Sequence, residues 1–185
     1  MSKLFYVIGA SGAGKDTLIN FARTRVNGGD KVIFAHRYIT RPPFTGNENH
    51  VHLTVEEFKA RIDANLFTLH WESHGKYYGI GKEINSWMDN GFNVIVNGSR
   101  QYLPMAQQIY PDVVVILIDA SPEVINRRLS GRGREDAGEI AKRISRTAEI
   151  STDLTNCIKI MNDGAVEDAG EELVNIIALK QNLYI

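Results

Sequence analysis

LFYVIGASGAGKDT, residues Leu4 to Thr17, joins an apolar run to a glycine-rich turn and then to a lysine. Leu4 to Ile8 has the length and composition of a buried strand. Gly9, Ala10, Ser11, Gly12, Ala13 and Gly14 follow as a turn whose glycines let successive N–H groups point inward at a phosphate chain, and the helix opening at Lys15 adds the positive end of its dipole. Lys15 is placed to reach the β- and γ-phosphates of a nucleotide. Set between a strand and a helix, this pattern reads as a nucleotide cradle; the plain alternative is a glycine-rich turn with a surface lysine. Where the pattern calls for a Ser or Thr whose hydroxyl holds Mg²⁺, the chain has Asp16, followed by Thr17. A carboxylate beside a triphosphate is repelled unless a metal ion lies between them. Asp16 is therefore either a direct or water-mediated Mg²⁺ ligand, or an acid at a helix N-terminus turned away from the nucleotide.

Outward from the cradle, Thr17 to Val26 carries Leu18, Ile19, Phe21 and Ala22 at helical spacing and ends at the breaker Asn27-Gly28-Gly29-Asp30. Lys31 to Ala35, Phe92 to Val96, Val113 to Ile118 and Cys157 to Met161 read as four more strands, and a last amphipathic helix carries Leu173, Ile176, Ile177 and Leu179. Strands alternating with helices predict an α/β fold, a five-stranded, mainly parallel sheet with helices on both faces and the active site beyond the strands' carboxyl ends. At 185 residues and 43% hydrophobic the chain suits one domain with a real core, residues 1–185. A net charge of −1 gives no overall electrostatic case for nucleic acid or an anionic membrane as partner. The lone Cys157 fits a reducing compartment and reads as a small packed hydrophobe, and no apolar run approaches a membrane span, so a cytoplasmic protein is expected. Homodimerisation is left open.

His36 to Asn49 is polar, holds two prolines and reads as a long irregular binding loop. Its cations Arg37 and Arg41 are candidates for holding a second, non-nucleotide phosphate through arginine forks, against solvated surface arginines. Thr54 to Glu57 has the pattern of a capping box. In His74-Gly75-Lys76-Tyr77-Tyr78-Gly79, one tyrosine is expected to meet substrate and the other to pack. His50, His52, His70 and His74 lack zinc spacing and read as packing or polar contacts. Asn97, Gly98, Ser99 and Arg100 end a core strand where substrate would be touched. Asp119 ends another, and is either a metal-site acid or an ordinary strand-end acid. Seven cations fall between Arg127 and Arg146, around a flexible Gly131-x-Gly133 pair. Arginines on such a lid, at about residues 130–145, neutralise charge on a transferring phosphoryl group and exclude water; the alternative is a solvated helix pair.

Cradle, polar loop and arginine lid together resemble the nucleoside monophosphate kinase fold, a three-layer α/β/α P-loop kinase, with the guanylate kinases closest in layout. The resemblance rests on Gly9 to Lys15, Thr40-Arg41-Pro42, Glu56-Glu57-Phe58, Tyr77-Tyr78-Gly79, Arg128-x-x-x-Arg132-Gly133 with Arg143, and Asn162-Asp163. It implies ATP and Mg²⁺ as cofactors, an acceptor-binding insertion at about 37–85, Lys15, Arg128, Arg132 and Arg143 as catalytic cations, and Asn162 and Asp163 near adenine. The acids with which guanylate kinases read guanine correspond here to Leu69 and Ser99, with Asn97 in place of a further acid, and their second loop arginine to Phe44. Without those acceptors a guanine's N–H groups go unpaired, a loss of roughly 10⁴-fold in selectivity, so GMP is expected to be a poor substrate. The chain is also very similar to the ribose 1,5-bisphosphate phosphokinases of bacterial phosphonate utilisation, through Gly12-x-Gly14-Lys15-Asp16, His36-Arg37-Tyr38-Ile39-Thr40-Arg41, Gly46-x-Glu48-Asn49-His50, Val96-Asn97-Gly98-Ser99-Arg100, Gly131-Arg132-Gly133-Arg134-Glu135 and Asn162-Asp163-Gly164. That likeness implies ATP-dependent phosphorylation of the 1-phosphate of ribose 1,5-bisphosphate to 5-phosphoribosyl 1-diphosphate, with Arg37, Arg41, Tyr78, Asn97, Ser99 and Arg100 toward the acceptor. A guanylate-kinase-like module that only binds peptides is the reading from another class; an intact Lys15 and lid argue against it.

Overall fold

The computed structural model describes residues 2–42, 50–130 and 156–178. Five strands form one sheet: β1 (Leu4–Gly9), β2 (Val32–Phe34), β7 (Asn93–Asn97), β8 (Val114–Asp119) and β9 (Ile158–Met161), in the order β2-β7-β1-β8-β9. Every pairing in it is parallel, with Val7 opposite Asn97 and Ile116. Central strands of such a sheet are covered on both faces, which is why they are continuous apolar runs. Phe5 and Val7 point to one core, with α1 (Lys15–Arg25), α5 (Pro122–Ser130) and α6 (Val166–Ile177); Leu4, Tyr6 and Ile8 point to the other, with α3 (Glu83–Asp89) and α4 (Leu103–Ile109).

Of the stretch 36–49 read as an irregular loop, residues 43–49 lie outside the described residues, and the rest departs from that expectation. Arg37–Ile39 is a strand, β3, pairing in parallel with β4 (His50–His52) and antiparallel with β6 (Lys76–Gly81), which pairs with β5 (Phe67–Ser73). Three residues are too few to show an alternation, so the polar neighbours hid β3. The β5–β6 hairpin closes at His74 and Gly75, both with positive φ (51° and 67°), the geometry of a tight hairpin turn matched to strand twist. α2 (Val55–Asp63) lies against this second sheet, burying Phe58 against Phe67 and Tyr77. Thr54 caps α2 by accepting from the Glu57 N–H at 3.1 Å, while the Glu57 carboxylate turns to Arg61 at 2.7 Å. The reciprocal box forms elsewhere, between Asn27 and Asp30 at the turn expected only to break α1.

Leu69, Trp71 and Ile80 of the second sheet enter the same core as Tyr6 and Leu103, fixing that sheet over one face of the first. No helix among the described residues is long and apolar enough to cross a membrane. The expected lid, with Arg132 and Arg143, lies outside the described residues, as do Phe44 and Leu179.

Candidate active site

β1 leaves the sheet at Gly9, where a Cβ would stand 2.5 Å from the Ile118 carbonyl oxygen of β8. Only glycine passes there. Gly12 and Gly14 then take φ of 91° and 92°, the left-handed region. Gly14 is the N-cap of α1 and no side chain caps that end, so the first helical N–H groups face the bend as an anion site does. Beneath the bend, Asn162 is 1% exposed and its Nδ2 donates to the Ala13 carbonyl at 2.7 Å. Arg128, in the last turn of α5, donates from Nη1 to the same carbonyl at 3.3 Å. A Cβ on Gly14 would fall 2.3 Å from Asn162 Nδ2. Asn162 and Arg128 thus brace the cradle's backbone from below, and Asp163 accepts from the Ser121 N–H at 2.7 Å, tying the turn before α5 to the turn after β9.

Asp16 lies in the first turn of α1. Asn97, at the carboxyl end of β7, donates from Nδ2 to Asp16 Oδ1 at 2.6 Å. The acceptor candidate Asn97 is therefore joined directly to the metal candidate Asp16.

Beyond Asn97 the chain is pinned from below by Tyr6. The Ser99 N–H donates to the Tyr6 hydroxyl at 3.0 Å, and that hydroxyl lies 3.2 Å from the Ser99 carbonyl. A Cβ on Gly98 would lie 2.2 Å from the Tyr6 ring, so the ring reaches Ser99 only past a glycine. Burial pushes the Tyr6 phenol far above its ordinary range, against the downward pull of the Ser99 N–H and of Arg37, so it stays protonated. The Arg37 guanidinium lies 5.4 Å over the Tyr78 ring, Tyr78 stacks on Trp71 at 5.6 Å and 5°, and Trp71 on Tyr102 at 5.7 Å. A planar cation held on an aromatic face is restrained by the ring's negative face. Tyr77 instead packs on Phe58 in the small core. Half-burial pulls the Arg100 guanidinium down and the Asp119 carboxylate pulls it back up, leaving it a cation. Arg41 follows β3, its carbonyl 2.7 Å from His52 Nδ1.

Asp119 makes the contacts of an ordinary strand-end acid: Oδ2 meets Lys159 Nζ at 2.8 Å and Oδ1 accepts from the Ala120 N–H. That bond and charge push the Lys159 ammonium up. Among the described residues no cluster of three or more His, Cys, Asp or Glu could hold a metal. Cys157 packs against the core and burial pushes its thiol up, as befits an inert cysteine. Tyr6, Trp71, Tyr102 and Lys159 were not singled out from the sequence. Trp71 was within reach: a turn at His74-Gly75 pairs Ser73 with Lys76 and hence Trp71 with Tyr78. Tyr6 was not, because it sits within the apolar run Leu4 to Ile8 and its partner is 93 residues away.

A phosphate cradle at the carboxyl end of a parallel sheet, faced by a second sheet that presents an arginine on an aromatic ladder, defines a P-loop phosphotransferase. The guanylate kinase family profile matches residues 1–180, and the chain belongs to that family. Within it, the chain is 50% identical to a protein of Thiobacillus denitrificans named ribose 1,5-bisphosphate phosphokinase PhnN, over 95% of this chain and 93% of that one. Proteins of the same name from Desulfomicrobium baculatum and Burkholderia pseudomallei are each 47% identical, over 96% and 95% of this chain and 95% of each of theirs. Among solved structures, guanylate kinase from Anaplasma phagocytophilum superposes with a TM-score of 0.72 at 19% identity, covering 98% of this chain and 87% of that one. At that identity the likeness is one of fold.

Proposed function

We propose that the chain transfers the γ-phosphoryl group of ATP to the 1-phosphate of α-D-ribose 1,5-bisphosphate, giving 5-phosphoribosyl 1-diphosphate and ADP, as a step of phosphonate utilisation in the cytoplasm. The observation that carries this reading is 50% identity over 95% of the chain to a protein named for that kinase activity. The cradle fits a phosphate chain because Gly12 and Gly14 occupy conformations only glycine takes readily and the end of α1 is uncapped. Asp16 is an oxygen donor of the kind Mg²⁺ takes at that place.

An oxygen of the sugar's 1-phosphate, already anionic near neutral pH, attacks the γ-phosphorus; the new P–O bond forms as the bond to the ADP oxygen breaks. No proton has to move, so no general base is needed. Mg²⁺, when bound, supplies charge neutralisation on the nucleotide's phosphates. Lys15 binds the β- and γ-phosphates, and Arg37, Arg41, Ser99 and Arg100 hold the acceptor's phosphates and hydroxyls in line. Arg128, Arg132 and Arg143 supply positive charge as the phosphoryl group moves.

The test is a ³¹P NMR endpoint with purified protein, ATP and Mg²⁺, with ribose 1,5-bisphosphate in one tube and GMP in another. A new diphosphate signal at the sugar's 1-position, absent with Lys15→Ala, is expected. Turnover of GMP alone would overturn the substrate assignment in favour of a guanylate kinase, and turnover of neither would favour a binding module.

A further inference from the structure

We propose that Asn97 is a positioning residue that fixes the Asp16 carboxylate where a cradle serine or threonine hydroxyl otherwise stands, so that the pair, and not Asp16 alone, presents the oxygen that meets Mg²⁺. This rests on the ATP and Mg²⁺ reading above. The two residues are 81 positions apart, and the bond joining them is 2.6 Å, short and charge-assisted. Asn97 is 8% exposed and held in register against Val7, at the strand end next to β1 from which the cradle springs. Its side chain therefore does not roam.

Its Oδ1 is buried with no hydrogen-bond partner among the described residues. Turning the amide over would set that oxygen against a carboxylate oxygen, acceptor to acceptor, so only the orientation with Nδ2 toward Asp16 is chemically sound. A strand-end residue kept for packing alone would be better served by an apolar side chain, which leaves no buried acceptor unmet. The amide is spent on Asp16.

The need for it follows from Asp16. A hydroxyl on Cβ is short, neutral and placed by one torsion, whereas a carboxylate is longer, charged and turns about two. Left alone in the first turn of α1, it is drawn to the helix's own N–H groups. A donor from β7 holds one carboxylate oxygen in place, and on this proposal Asp16 so held is the Mg²⁺ ligand of the two readings left open by the sequence. Outer partners of this kind typically change metal affinity by about 10–100-fold when removed.

The test measures binding, not turnover. Affinity for the non-hydrolysable analogue β,γ-imido-ATP is read by calorimetry with Mg²⁺ and with EDTA, and the ratio gives the Mg²⁺-linked gain. Asn97→Ala is expected to cut that gain about tenfold or more while leaving the EDTA affinity unchanged. In an Asp16→Ser background, where a hydroxyl reaches the metal unaided, adding Asn97→Ala is expected to change the gain less than twofold. The proposal is overturned if Asn97→Ala lowers both affinities equally, if it leaves the gain intact, or if its effect is the same in both backgrounds. Should Asn97→Ala fail to fold, Asn97→Ser carries the same comparison, since its shorter hydroxyl keeps a polar group at the strand end but falls short of Asp16. An unmodified chain that binds no β,γ-imido-ATP under either condition would instead overturn the nucleotide reading itself, so the two failures are distinguishable.

Discussion

In the proposed site, the strand end assigned to the acceptor hangs on one hydroxyl. Tyr6 rises from β1, passes the space that Gly98 leaves clear, and meets both the N–H and the carbonyl of Ser99. Tyr6→Phe keeps the ring and removes the partner, leaving a part-buried N–H unmet at a cost of about 1–3 kcal/mol. The expected outcome is a lower Tm and a raised KM for the acceptor with the KM for ATP unchanged, read from a thermal melt and a coupled kinase assay. A further signature lies in alkali. Burial raises the Tyr6 phenol in the folded chain, so above about pH 10, the ordinary tyrosine value, the unfolded chain loses a proton that the folded one keeps. Fewer protons bound in the unfolded state mean that stability falls as pH rises there, and is untouched below. Tyr6→Phe should flatten that decline without abolishing it, because burial also raises Tyr38 and Tyr110. Melts in urea between pH 8 and 11 test this, and equal slopes would contradict it.

Among elements, the close approach of α1 and α6 depends on a missing side chain. Gly170 faces Phe21, and a Cβ there would lie 2.3 Å from the ring's Cδ1 and 2.7 Å from Cε1. Phe21 also carries the Arg25 guanidinium 4.9 Å above it, a contact that a displaced ring would loosen. Gly170→Ala should therefore destabilise by about 1–3 kcal/mol through overpacking, despite the better helix propensity of alanine. Adding Phe21→Leu should recover part of the loss, and differential scanning calorimetry on both variants decides it. Such contacts also separate what could be read in the sequence from what could not. β1, β7 and β8 are covered on both faces, so burial wrote itself into unbroken apolar runs, and the cradle announced itself because its glycines are neighbours in the chain. β3 and β4 span three residues each and left no period to read. The bond between Asn97 and Asp16 and the support of Ala13 by Asn162 join residues 81 and 149 apart; each looks from the sequence like an isolated polar residue at the end of a strand.

At the scale of the whole molecule, the proposed reading makes substrate choice a matter of packing as much as of the residues assigned to the acceptor. Leu69, the residue expected from the resemblance to guanylate kinases to stand in place of a guanine-reading acid, is fully buried with Trp71, Ile80 and Ile84 where the second sheet meets the first. Restoring an acid there should not restore a guanine pocket. Leu69→Glu would place a carboxyl among apolar side chains, where it either stays charged without a partner or is neutralised by a raised pKa, a loss of about 3 kcal/mol or more. The expected result is a large fall in Tm, weakened turnover of ribose 1,5-bisphosphate and no gain with GMP. Ser99→Asp, at a half-exposed position, serves as the contrast: the chain should stay folded, lose acceptor affinity through repulsion of the sugar's phosphates, and still fail to use GMP. Folding and acceptor use are read separately, by thermal melts and by ³¹P NMR with each acceptor. A Leu69→Glu chain that melts normally and phosphorylates GMP would show that position 69 opens onto the acceptor after all, and that the aromatic ladder of Trp71, Tyr78 and Tyr102 is the wall of a base pocket and not the packed seam between two sheets.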